Sequence, residues 1–62
     1  MSKTLYEVQF LESHSNLMRV SRIFETKRAA EKWGKWLSTK QYTSLVQVWK
    51  GQGGILVGEW KR

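Results

Sequence analysis

Residues 24–38, Phe24-Glu25-Thr26-Lys27-Arg28-Ala29-Ala30-Glu31-Lys32-Trp33-Gly34-Lys35-Trp36-Leu37-Ser38, are the only stretch of this chain with a helical period. Ala29, Ala30, Trp33, Trp36 and Leu37 recur at spacings of three and four, while Lys27, Arg28, Glu31, Lys32 and Lys35 fill the rest of the wheel. The spacing predicts a helix with one apolar side, which takes Trp33 and Trp36 into the core, and one cationic side. Thr26 stands where a hydroxyl can accept from an unpaired amide of the first turn, so it is the expected N-cap. One amphipathic helix cannot bury its own apolar side, and the remaining residues must supply the surface that covers it.

Those residues read as strands. Tyr6, Val8 and Phe10 alternate with Leu5, Glu7, Gln9 and Leu11, and Ser13-His14-Ser15-Asn16 forms a polar hairpin loop. Leu17 to Phe24 is the second strand, with Met18, Val20 and Phe24 expected inward and Arg19, Ser21 and Ile23 outward. That parity leaves Arg22 on the core side, a conflict that a bulge near Arg22 or a place at the rim of the helix would relieve. Ser38-Thr39-Lys40-Gln41 contains neither Gly nor Pro, so no residue marks the helix end before Tyr42. Residues 43–49 are rich in β-branched residues and strand-like, Gly51-Gln52-Gly53-Gly54 is a turn, and Ile55 to Trp60 closes a second hairpin.

The order is ββαββ in one domain over residues 1–62. It defines an α+β two-layer fold, one helix packed on an antiparallel-rich four-stranded sheet. A single helix covers one sheet face. The other is expected to carry Leu5, Glu7, Gln9, Leu11, Arg19, Ser21 and Ile23, with either Leu45, Gln47, Trp49, Ile55, Val57 and Glu59 or the opposite parities. An apolar patch of that kind marks a contact surface.

A 62-residue chain buries only about 60% of its unfolded surface, which makes its four Trp, two Tyr and two Phe the natural core material. With no Cys and a single His, neither a disulfide nor a zinc site can reinforce it, and pairing with a second copy is the remaining support. A symmetric homodimer through the open face is therefore expected, opposed by a net charge of +6 per chain. That charge and a pI near 10.1 favour polyanionic partners. No apolar run approaches the roughly 20 residues of a membrane span, and Met1-Ser2-Lys3-Thr4 lacks a signal-peptide core. A soluble, unprocessed, cytoplasmic protein with no membrane partner is the expectation.

Catalysis is not expected, because general acid–base chemistry needs positioned titratable groups and the chain has one His, five dispersed Glu and no Asp. His14 reads as a solvated loop residue, and no cofactor is implied. Gly51, Gly53 and Gly54 could cradle a phosphate, but their strand-like flanks favour a hairpin turn. Lys27 and Arg28 lie at the positive end of the helix dipole, a small cost that a docked anion would reverse. Trp49 and Trp60 each precede a Lys, an arrangement suited equally to stacking bases and to closing a dimer, with core packing of an edge strand as a third reading.

Phe24-x-Thr26-x-x-x-Ala30-x-x-Trp33, preceded by strands, resembles two families. Over residues 17–37 it is similar to the arm-type DNA-binding domain of tyrosine recombinases, which implies DNA reading by the sheet. From Arg19 to Lys50 it looks like the very small phage early proteins of the coliphage RNA polymerase inhibitor type, which implies inhibition of a host enzyme by protein contact.

Together these features describe a small basic phage-type binding module that contacts DNA or RNA by phosphate neutralisation, with Arg19, Lys27, Arg28, Lys32 and Lys35 on phosphates and Trp49 as a candidate stacker. The competing reading is a regulator or inhibitor of a host protein that acts through Leu45, Trp49, Ile55 and Val57 on the open sheet face.

Overall fold

The computed structural model describes residues 4–51 and 54–61. β1 (Tyr6–Glu12), β2 (Met18–Phe24), α1 (Lys27–Ser38), β3 (Thr43–Lys50) and β4 (Ile55–Lys61) follow in the expected ββαββ order. All neighbouring strands are antiparallel, in the spatial order β2-β1-β3-β4. The fold is thus α+β. The connection through α1 carries the chain across β1 and places β3 at its far side, so β1 and β3 are central and β2 and β4 form the edges.

The helix begins as its sequence predicts: Thr26 is extended, and its hydroxyl accepts from Ala29 N–H at 3.2 Å. Its end is held by hydroxyls in place of a glycine cap. Thr39 Oγ1 donates to Trp36 O at 2.6 Å, Ser38 Oγ to Lys35 O at 2.6 Å, and buried Thr43 Oγ1 to Leu37 O at 3.1 Å. Carbonyls left unpaired by the last turn are satisfied locally, which is why no Gly or Pro is needed to stop the helix.

The core lies between α1 and the sheet, where Val8, Val46 and Val48 are fully buried beneath Ala30 and Leu37. Burying each valine stabilises the fold by roughly 1.5–3 kcal/mol. Tyr6, Phe10, Phe24, Trp33, Val57 and Trp60 pack around this centre. Gly34 is the third buried position of α1. Its missing side chain admits the Trp60 ring, so the strip facing the sheet is Ala30, Gly34 and Leu37. Trp36 lies off that strip and is 46% exposed, contrary to the expectation that it is core. A sheet of this width meets the helix along one narrow line, and a side chain about a third of a turn away looks outward.

Register shifts occur in all three strand pairings, and the two that involve the edge strands decide which of their side chains reach which sheet face. The β1–β2 register shifts between Val8, opposite Arg22, and Gln9, opposite Val20, which leaves Ser21 unpaired. The expected bulge near Arg22 is therefore present, and it reverses the parity of the strand before it. Met18 and Val20 share the open face with Ile23, not the core. Arg19 and Ser21 are on the helix side, where Ser21 Oγ accepts from Trp33 Nε1 at 3.0 Å. The β3–β4 register shifts likewise between Val48, opposite Gly58, and Trp49, opposite Leu56. Val57 falls in this bulge and packs on the core, and Ile55 pairs with Lys50 on the helix side. The open-face reading of Ile55 and Val57 is corrected accordingly: Leu56 holds that place beside Trp49.

Gly51 turns the chain out of β3 with φ of 74°, a region that glycine enters without steric cost. Gln52 and Gly53 of the expected turn lie outside the described residues.

Candidate nucleic-acid interface

Lys27, Arg28, Lys32 and Lys35 are all exposed on the outer side of α1. The first turn holds no acidic residue, so its amides and both leading cations present positive charge together. Arg19 stands apart from this set on β2, where Nε pairs with Glu12 Oε1 at 3.2 Å. Trp49 is further removed, on the sheet face opposite the helix, with Nε1 donating to Gln47 Oε1 at 3.2 Å.

The aromatic residues that adjoin the helix cations are Trp33 and Trp36. Their rings stack with centroids 4.7 Å apart and planes at 30°. Arg22 lies over the Trp33 ring at 5.1 Å and the Phe24 ring at 5.8 Å, and Lys40 Nζ lies over Trp36 at 4.2 Å. Cation–π attraction of this kind holds long basic side chains against the rings. Arg22, Lys40 and the exposed indole of Trp36 were absent from the candidate set read from sequence. Their signal was present as spacing: Trp33 and Trp36 are three apart and Trp36 and Lys40 four apart, which makes each pair neighbours on a helical surface. For Arg22 the signal was its place on the core side of the strand count.

The open face of the sheet differs in chemistry. Pairing aligns it in three rows: Met18, Leu11, Leu45 and Lys61; Val20, Gln9, Gln47 and Glu59; Ile23, Glu7, Trp49 and Leu56. Amide–carboxylate bonds lace its middle, Gln9 Nε2 to Glu7 Oε2 at 3.1 Å and Gln47 Nε2 to Glu59 Oε2 at 2.7 Å, and Lys61 Nζ lies 3.7 Å from Glu59. This face is mixed apolar and acidic, whereas most of the cations lie on the helix side. Of the competing contact set, Leu45 and Trp49 are here and half-buried.

His14 is exposed in the β1–β2 loop, at a shallow depression shared with Glu12, Arg19 and Tyr42. Among the described residues, no three His, Cys, Asp or Glu gather as metal ligands, and no helix is long and apolar enough to cross a membrane. A scan of protein-family models and searches of curated proteins and of solved structures return no match to this chain.

Proposed function

We propose that this chain is a small, non-enzymatic module that binds nucleic acid through phosphate neutralisation by the outer side of α1. The observation that carries this reading is the excess of exposed cations on α1, four against the one carboxylate of Glu31. Lys27, Arg28, Lys32 and Lys35 share one exposed surface with Arg22 and Lys40 nearby, and Glu7 and Glu59 are on the opposite face. Neutralising phosphates releases counterions, so such binding weakens steeply with salt and carries little sequence information. Arg19 contributes less than the helix cations because Glu12 already engages it. Titrating labelled DNA and RNA at low salt tests the reading; no detectable binding would sink it.

A second reading is favoured by the exposure of Val20 (53%), Ile23 (56%) and Leu56 (40%) on the open face. Patches of this kind serve protein contact, with a host protein or with a second copy of the chain. Pull-down from nuclease-treated lysate separates the readings, because a nucleic-acid binder loses its partners there and a protein binder keeps them. Light scattering at moderate salt reports whether a second copy covers the face.

A further inference from the structure

Ala29 leaves a notch in the surface of α1. Phe24, Lys32, Trp33 and Trp36 surround it as an open groove of about 380 Å³, and among the described residues no carboxylate lines it. That volume is within the range of small-molecule clefts. Its walls are aromatic and include the cation Lys32, and two further cations lie over the rings that form them, Arg22 over Trp33 and Phe24 and Lys40 over Trp36. Trp36 is 46% exposed although Trp33 stacks on it and Lys40 Nζ lies over its ring, so a flat group in the groove takes the place of Lys40 on the indole while the ammonium turns to a flanking phosphate.

The occupant that fits is planar, has a π-face, and is joined to anionic groups that reach the surrounding cations. An unpaired nucleobase with its flanking phosphates meets all three requirements. A base within a duplex does not, because its faces are already stacked on its neighbours and only its backbone can approach. Resting on the nucleic-acid reading above, we propose that the groove over Ala29 takes an unpaired base, which makes single-stranded nucleic acid the preferred ligand of this module. Stacking on indole tolerates any base, so the site selects strandedness and not sequence. The charge pattern disfavours an apolar peptide in the same groove, since these cations would stay without counter-charge.

The test compares three labelled probes at one low salt concentration: a thymidine 20-mer, a 20-mer of abasic units with the same phosphates, and a blunt duplex. The full chain is expected to bind the thymidine strand roughly ten-fold more tightly than the abasic strand. Ala29→Leu fills the notch with a good helix former and removes no charge. It should bring thymidine affinity down to the abasic level and leave duplex affinity within about two-fold, since phosphate contacts alone set that value. Trp36→Ala, at an exposed position, should give the same loss and serves where circular dichroism shows Ala29→Leu misfolded. Equal binding of the thymidine and abasic strands, or a gap that survives both variants, overturns the groove proposal and leaves phosphate binding intact. Absence of binding to all three probes overturns the nucleic-acid reading itself. Tighter binding of an acidic, Trp-containing peptide than of the thymidine strand, lost in Ala29→Leu, would assign the groove to a protein partner and also overturns it.

Discussion

Gly34 of α1 and Trp60 of β4 touch where the helix crosses the sheet: a Cβ on Gly34 would stand 2.7 Å from Trp60 Cζ3 and 3.3 Å from Val48 Cγ2. Glycine within a helix ordinarily costs about 1 kcal/mol relative to alanine. Here that cost is offset by the close approach of the indole, which fills the space a side chain would take.

Gly34→Ala is therefore expected to destabilise the fold, even though alanine is the better helix former. Overpacking costs about 1–3 kcal/mol, and the helix-propensity gain returns up to about 1 kcal/mol of it. Thermal or denaturant unfolding measures the difference. Trp60→Phe in the same chain should shrink the penalty, and a Gly34→Ala chain more stable than the parent would contradict the packing described.

Thr26 supplies the hydrogen bond at the start of α1, and Thr26→Ala should cost about 1 kcal/mol. Thr26→Asp should recover it or exceed it, because a carboxylate there both caps the helix and faces the dipole and the Lys27 and Arg28 charges that now stand unopposed in the first turn. Helicity and melting temperature of the pair check this ordering.

The β1–β2 bulge predicts opposite outcomes for two valines. Val20→Thr, on the open face, should change stability by less than about 0.5 kcal/mol. Val48→Ala, at a fully buried position, should cost about 2 kcal/mol. Comparable losses at both sites would mean that Val20 points inward and that the register is wrong.

Much of the fold was legible because each element announces itself by a local period. Alternation marked β1, and the three- and four-residue spacing marked α1 with Thr26 at its start. The sides of β2 and β4 were not legible from alternation, since one unpaired residue, Ser21 or Val57, reverses the parity of everything beyond it. Arg22 stays on the helix side, where the count had put it, over Trp33 and Phe24, and the residues displaced are Met18 and Val20. The cations of α1 were likewise readable, because exposure follows from the helical wheel. Trp36 was not. A wheel shows it among the apolar positions, and only the narrow contact between helix and sheet, centred on Gly34, leaves it outside.

Ser21 links the bulge to the aromatic pair by accepting from Trp33 Nε1. Ser21→Ala should cost about 1 kcal/mol and loosen the Trp33–Trp36 stack. A shift in tryptophan fluorescence relative to the parent chain reads this out, and an unchanged spectrum together with unchanged stability would dissociate Ser21 from the pair.

The central claim is that the cationic side of α1 neutralises phosphates, and the salt dependence of affinity tests it most directly. With about four phosphate contacts on a single strand, log K is expected to fall with log salt at a slope near −3. Replacing Lys32 and Lys35 by Gln together should reduce that slope by about 1.4. A slope near zero, or one that the double replacement leaves unchanged, would contradict the account.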